Sequence, residues 1–143
     1  MISQKVKYYL ENKGWWFDEA SEDYKNALGS IGIDEGADIS NFYCHAEGGP
    51  TFYSRNREIY QLGWFILNSD YNLAIERTHN SLKLPSNYIP LDSFEGESGF
   101  FYNKGNGAVI HLSLGEGLQK IQAGDFNPQW KDFNSFIEWY FEL

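Results

Sequence analysis

Apolar residues recur at intervals of three or four positions in four parts of the chain, a spacing that places side chains on one face of a helix. The pattern predicts helices over residues 5–12, 16–28, 39–46 and 130–141. Gly48, Gly49 and Pro50 end the third of them, because proline cannot continue a helix. Asn127 and Pro128 are predicted to begin the fourth, as an N-cap followed by a first-turn proline.

Denser apolar runs predict strands between these helices. Residues 60–67 are almost continuously apolar and end at a polar Asn-Ser-Asp, which is typical of a buried strand. Residues 72–82 fit either a helix or a strand followed by a loop. Residues 88–91 predict a short edge strand, because Pro90 has no amide hydrogen to donate to a neighbouring strand.

Lys-Gly-Asn-Gly at residues 104–107 has two interpretations, a phosphate-binding loop or the turn of a hairpin. A phosphate-binding loop needs a helix after it, since the helix N-terminus supplies the amide donors. Here residues 108–114 alternate apolar and polar positions and include β-branched Val109 and Ile110, as a strand does. The pattern therefore predicts a hairpin over residues 99–114 and no nucleotide site.

Helices at both ends with strands between them predict one α+β domain, and 143 residues suffice for a single core. No apolar run approaches the length of a membrane span, roughly 18 residues or more, so no membrane association is expected. The N-terminal residues lack the apolar core of a signal peptide, and the lone Cys44 excludes an internal disulfide. These features predict a cytoplasmic protein.

The net charge of −9 bears on whether the partner is a protein or a nucleic acid. Residues 1–50 hold nine acidic residues and four lysines, a net charge of −5 in that third of the chain. An acidic surface repels DNA and RNA, and it speeds association with a basic protein. The aromatic share of 18% adds side chains that are common at protein interfaces. We therefore expect a protein partner and no nucleic acid.

The polar residues do not form a catalytic or metal-binding motif. His45, His79 and His111 lack the spacing of metal ligands, and Cys44 is predicted to be a small core residue. Glu95 and Glu97 lie two positions apart, so in an extended segment they would face one side. The sequence predicts no enzyme activity, no metal and no cofactor. A hydrolase would require a deep pocket that joins a histidine with a carboxylate.

Four stretches resemble the SMI1/KNR4 family of the SUKH superfamily. "HAEGGPTF" (45–52) is similar to the family's Gly-Gly turn after a helix, and "YQLGWFILN" (60–68) is similar to its apolar strand. "YIPLDSFEGESGFFYNKGNGAVIHL" (88–112) resembles its proline-containing strand, acidic loop and hairpin. "FNSFIEWYFEL" (133–143) is similar to its C-terminal helix. The resemblance covers about residues 36–142.

The resemblance implies a twisted, mainly antiparallel sheet flanked by N- and C-terminal helices, in a single domain without catalytic residues. Bacterial members of this family are largely immunity proteins that bind and neutralise a cognate toxin, often a nuclease. The chain is accordingly expected to be a bacterial immunity protein, monomeric or homodimeric. The alternative is an intracellular adaptor of the same family that has no toxin partner.

An inhibitor of a nuclease presents anionic groups where nucleic-acid phosphates would lie, so acidic residues are the first candidates for partner binding. Two tryptophans near the N-terminus are candidates for aromatic anchors. The predicted partner-binding residues are Asp34, Glu35, Asp38, Glu95, Glu97, Trp15 and Trp16.

Overall fold

A computed structural model describes residues 1–124 and 127–143 of the chain. Its helices alternate with short strands and are rarely longer than two or three turns. The α-helices are α1 (Gln4–Lys13), α2 (Glu22–Ser30), α3 (Asp38–His45), α4 (Leu62–Asn68), α5 (Tyr71–Glu76), α6 (Glu116–Gln122) and α7 (Phe133–Tyr140). A π-helical turn (Arg77–Ser81) continues α5, and a 3-10 turn (Glu95–Glu97) precedes the second hairpin.

The strands form two small antiparallel sheets. They are β1 (Thr51–Ser54), β2 (Arg57–Tyr60), β3 (Tyr88–Pro90), β4 (Ser98–Asn103) and β5 (Val109–Ser113). β1 pairs with β2, and the order in the second sheet is β3-β4-β5. The Tyr60 amide donates to the Leu91 carbonyl at 2.8 Å, so the two sheets meet at the end of β2. The fold is a single α+β domain, and the antiparallel sheet expected from the sequence is divided in two.

The three-stranded sheet is buried on both faces. Phe100 and Tyr102 of β4 belong to the larger apolar cluster, together with buried residues of α1, α3 and α7. Phe101, between them, belongs to a smaller cluster on the opposite face with Ile110 and Leu112 of β5. The alternation of β-strand side chains explains this division. None of the helices in the described ranges has the length and apolar character needed to cross a membrane.

Two of the predicted N-terminal helices are confirmed as α1 and α3, and the third is shorter than predicted. α2 begins only at Glu22, because Ser21 is its N-cap and the Ser21 hydroxyl accepts the Tyr24 amide at 3.2 Å. Residues 16–20 are not helical. Cys44 of α3 is buried, as predicted.

The prediction of a strand over residues 60–67 is wrong beyond Tyr60, because the chain enters α4 at Leu62. Gln61 decides this conformation. Its side-chain oxygen accepts the Trp64 amide at 3.2 Å, and its amide nitrogen donates to the carbonyls of Tyr43 and Ala46 at 2.9 and 2.7 Å. A fully buried side chain therefore caps α4 and ties it to α3.

The remaining elements follow the predicted order with one shifted boundary. The hairpin over residues 99–114 and the edge strand at residues 88–91 are confirmed as β4–β5 and β3. The ambiguous stretch 72–82 is helical. The C-terminal helix begins at Phe133 and not at Asn127-Pro128, because Asp132 supplies the cap by accepting the Ser135 amide at 2.7 Å.

His111 gives the folded protein an expected sensitivity to acid. Burial, and then the nearby Arg57 guanidinium, lower the pKa of His111. The unfolded chain, with a histidine pKa of about 6.5, therefore binds this proton more readily, and stability is lost as the pH falls below that value. We expect the free energy of unfolding, measured with urea from about pH 8 to about pH 5, to decline less steeply in His111→Gln than in the unmodified protein. If the free energy of unfolding declined with pH in parallel for the two proteins, His111 would not be the source of the acid sensitivity.

Candidate functional site

Residues 15–21 run beside the C-terminal end of α3, extended around Trp16 and bent at Asp18 and Glu19. Backbone hydrogen bonds hold them there. The Phe17 amide donates to the His45 carbonyl at 2.8 Å, and the Glu47 amide donates to the Trp15 carbonyl at 2.9 Å. The Ser21 amide donates to the Cys44 carbonyl at 2.9 Å. This pairing fixes the segment before α2 begins.

An open groove of about 590 Å³ lies along this pairing, and we name it the Trp16 groove. It is bordered by the extended segment, by the start of α2 and by the end of α3. Its lining residues are Trp16, Phe17, Asp18, Glu19, Ala20, Ser21, Tyr24, Tyr43, Cys44, His45, Ala46 and Glu47.

One wall of the groove is a stacked pair of rings. The Trp16 and His45 rings are 4.8 Å apart between centroids and inclined by 11°. His45 Nδ1 lies 2.7 Å from the Phe17 carbonyl oxygen. A carbonyl can only accept, so Nδ1 carries a proton, and in the neutral form of the ring Nε2 is then a hydrogen-bond acceptor. The Trp16 indole Nε1–H donates to Asp18 at 3.0 Å, which fixes the indole and the carboxylate together.

The other wall pairs a tyrosine with a carboxylate. The Tyr24 hydroxyl donates to Glu47 Oε1 at 2.5 Å. Burial and this carboxylate raise the pKa of Tyr24, so the phenol stays protonated and keeps donating. The Tyr24 ring lies directly against α4, where a Cβ added to Gly63 would be 2.6 Å from Tyr24 Cγ. The close approach at Gly63 therefore sets the position of this wall.

The groove is anionic and aromatic. Asp18, Glu19 and Glu47 line it, and its described lining residues include no lysine or arginine. Phe17, which lines the groove, is 52% exposed to solvent. Lys7 of α1 places its ammonium group 5.3 Å from the centroid of the Trp16 ring, so the indole already attracts one cation of the chain itself.

The two side chains that could act as nucleophiles in the groove are engaged in the fold. The Ser21 hydroxyl accepts the Tyr24 amide as the cap of α2. Burial raises the pKa of the Cys44 thiol, which disfavours the reactive thiolate. His45 and Glu47 nevertheless bring a histidine and a carboxylate into one groove, the combination that a hydrolase would require.

Of the two predicted tryptophan anchors, only Trp16 lines the groove. Trp15 packs on the core, with its ring centroid 5.7 Å from Phe52 and 6.3 Å from Tyr9. A Cβ added to Gly48 would lie 2.5 Å from the Trp15 indole nitrogen, so the Gly-Gly turn is shaped around this ring. Trp15 therefore anchors the segment that carries Trp16 to the core.

The predicted acidic residues before α3 lie outside the Trp16 groove. Glu35 forms an ion pair with Lys25 at 2.9 Å and lines an adjoining pocket that shares Cys44 and His45 with the groove. Asp34 accepts the Gly36 amide at 3.3 Å. Asp38 accepts the Asn134 amide at 2.9 Å, in the first turn of α7. The Asp34 carboxylate thus stabilises its own turn, and the Asp38 carboxylate connects α3 with α7.

Glu95 and Glu97 form a separate acidic surface. Both are exposed, and Glu95 lines two small pockets that also include Glu58. The expectation that Glu95 and Glu97 share one side of an extended segment is wrong, because they belong to a 3-10 turn in which Glu97 has a φ of 62°. Neither residue lines the Trp16 groove.

Several groove residues were not predicted, and one signal in the sequence pointed to them. The run Trp16-Phe17-Asp18-Glu19 places two aromatic residues, a type enriched at protein interfaces, directly before two carboxylates. Because a helix was predicted over residues 16–28, this run was interpreted as part of that helix and was not considered as a binding segment. Glu47 and His45 join it only through the pairing between residues 15–17 and 45–47.

Comparison with protein-family models, with curated proteins and with solved structures found no match. Within the described ranges, no group of three or more histidine, cysteine, aspartate or glutamate residues is arranged to hold a metal ion. The chemistry of the Trp16 groove itself is therefore the basis for a functional proposal.

Proposed function

We propose that the chain is a non-catalytic, protein-binding domain of the SMI1/KNR4 type that acts as an immunity protein, binding and neutralising a basic toxin domain. The observation that supports this proposal best is the Trp16 groove, where aromatic walls and three carboxylates meet on a fixed backbone. Interfaces of high affinity are built around aromatic anchors of this kind.

The groove favours binding over catalysis. Its polar groups are already paired within the fold, as in the Tyr24–Glu47 and Trp16–Asp18 hydrogen bonds. Because these bonds hold the side chains in one arrangement, little conformational entropy is lost when a partner orders them. A hydrolase is the second candidate, since His45 offers Nε2 as a base, but Ser21 and Cys44 are not activated as nucleophiles.

The charge of the chain suits a basic partner. A net charge of −9 accelerates the approach of a cationic domain, and a nuclease toxin carries basic residues for phosphates. Occupation of those residues by carboxylates would compete with nucleic acid. Among the described residues, Asp18, Glu19 and Glu47 of the groove form one acidic surface for this role, and Glu95 and Glu97 form another.

A two-stage binding experiment tests the proposal. The tagged chain is used to capture partners from its native host, and the captured protein is then purified and bound again in isolation. We expect one stoichiometric basic toxin domain whose toxic activity falls on binding. Recovery of several housekeeping proteins, with no toxin among them, would support the adaptor alternative.

The association rate constant identifies which acidic surface faces the toxin. If the groove faces it, Asp18→Lys combined with Glu19→Lys slows association at low salt, while Glu95→Lys combined with Glu97→Lys leaves the rate nearly unchanged. Both double variants change the net charge equally, so the comparison separates local from long-range electrostatics. The reverse result would move the interface to the Glu95 surface.

A further inference from the structure

We infer that the Trp16 groove is a receptor for a basic side chain, an arginine or lysine that the partner inserts between the Trp16–His45 wall and the Tyr24–Glu47 wall. This inference rests on the proposed protein-binding function and adds the chemical class of group that the groove recognises. It follows from the acceptors that face the groove, from its aromatic wall and from its volume.

The hydrogen-bonding groups of the groove are mainly acceptors. Asp18 and Glu47 each receive one internal hydrogen bond, and a carboxylate has further lone pairs for a second donor. In the neutral ring, His45 Nε2 is a third acceptor, because Nδ1 carries the proton that the Phe17 carbonyl accepts. Arginine and lysine side chains are donors only, so they complement this set.

The indole of Trp16 favours the same ligand. Tryptophan attracts a cation placed over its ring more strongly than tyrosine or phenylalanine does. Lys7 shows the attraction within the chain, with its ammonium group 5.3 Å from the ring centroid. Because His45 already stacks on the indole, an inserted guanidinium would replace the Lys7 ammonium over the ring, and it can donate two hydrogen bonds to one carboxylate.

The size of the groove fits a side chain together with the peptide backbone that carries it. Its volume of about 590 Å³ is typical of sites that hold a small ligand. The exposed Phe17 at the edge offers apolar surface to the methylene groups of the inserted side chain. An anionic ligand would instead meet three carboxylates and no lysine or arginine among the described lining residues.

Titration of the ¹⁵N-labelled full chain with single capped amino acids tests the inference by NMR. The probes are N-acetyl-arginine methylamide, N-acetyl-lysine methylamide and the neutral N-acetyl-glutamine methylamide. We expect the two basic probes to shift the Trp16 indole N–H signal and the amides of residues 16–21 and 45–47, saturably and in the millimolar range. The glutamine probe should leave these signals in place.

Two isosteric substitutions remove charge while keeping the internal hydrogen bonds. Asp18→Asn can still accept from the Trp16 indole, and Glu47→Gln can still accept from Tyr24. We expect the double variant to bind the basic probes roughly tenfold more weakly. Glu11→Gln combined with Glu76→Gln, two exposed changes outside the groove that remove the same charge, is the matched control and should bind as the unmodified chain does.

Three results would overturn the inference: no saturable shift with either basic probe, equal shifts with the glutamine probe, or unchanged affinity in the double variant. Each is separable from failure of the proposed function. If a toxin is captured and Trp16 is needed for it while the basic probes do not bind, only the basic side-chain receptor is wrong. If the probes bind but several housekeeping proteins and no toxin are captured, the immunity function is wrong and the cation site stands.

Discussion

Arg57→Gln is expected to lower the free energy of unfolding by about 3 kcal/mol, a large fraction of the roughly 5–15 kcal/mol typical of a domain. Arg57 lies on β2, and its guanidinium donates to Asp92 Oδ2 at 3.0 Å and to the Ser98 hydroxyl and carbonyl at 2.7 and 3.0 Å. These bonds connect the two-stranded sheet with the three-stranded sheet. Their loss removes three polar contacts between the sheets and leaves the Tyr60–Leu91 backbone hydrogen bond in place.

Most of the expected destabilisation comes from Asp92, which would be left without its cationic partner. The Asp92 side chain is 3% exposed, and burial already raises its pKa despite the lowering effects of the Phe94 amide and Arg57. An unpaired buried carboxylate is costly because no solvent replaces the lost partner. The Arg57 side chain itself is 26% exposed, which keeps the effect near the lower end of the range for buried pairs.

Arg55→Gln is the matched control, because it removes the same charge two residues away on the same hairpin. Arg55 is exposed, with its guanidinium 4.2 Å from the Trp139 ring centroid, so we expect a loss of only about 0.5–1 kcal/mol in urea unfolding. The deficit of Arg57→Gln should also shrink as the pH falls through the raised pKa of Asp92, because a protonated Asp92 no longer needs a cation. Equal losses in the two variants at neutral pH would contradict this role of the ion pair.

Trp16→Ala is expected to weaken binding of the partner protein at least roughly thirtyfold, the effect of losing a central aromatic anchor worth about 2 kcal/mol or more. The indole forms one wall of the Trp16 groove, and its Nε1–H holds Asp18 in place. Removing the ring therefore deletes apolar contact area and also frees a carboxylate. Titration calorimetry with the purified partner measures the change.

Trp64→Ala separates loss of the groove from general loss of aromatic surface. Trp64 is a half-buried tryptophan of α4 and does not line the groove. We expect Trp64→Ala to bind the partner within about threefold of the unmodified chain, as a change outside the interface should. Thermal unfolding of both variants checks that each remains folded at the binding temperature. Equal weakening by the two changes would remove Trp16 as an anchor.

The elements that sequence reasoning predicted correctly carry their signals locally. In the β4–β5 hairpin, alternating apolar residues flank Gly-Asn-Gly, and Gly107 adopts a φ of 81°, a conformation that favours glycine. α1 and α3 have apolar residues at helical spacing. Gly14 ends α1 in the left-handed conformation, whereas α3 ends at His45, before the Gly-Gly turn that was predicted to end it. The α+β class follows from the order of these elements, with helices at the ends and strands between.

Two of the errors in element prediction arise where a distant contact determines the backbone. A short apolar run such as residues 60–67 suits a strand or a buried helix equally well by pattern alone. The buried amide of Gln61, which donates to carbonyls at the end of α3, selects the helix. At residues 16–20 the helical spacing continues through a stretch that is not helical, because the backbone of residues 15–17 pairs with residues 45–47. The Ser21 cap, followed by acidic Glu22 and Asp23, was the local signal of the true helix start.

For the candidate site, too, some properties follow from the local sequence and others only from the tertiary structure. By itself the sequence determined the acidic charge, the aromatic surplus and the candidacy of Trp16, because composition and short runs are properties of the chain. Only the tertiary structure decided that Trp16 joins His45 and Glu47 while Trp15 packs on the core. It also decided that Asp38 accepts an amide of a helix 96 residues away along the chain. The physical reason is that a groove is made by segments brought together through backbone pairing, and such pairing leaves little trace in the local pattern.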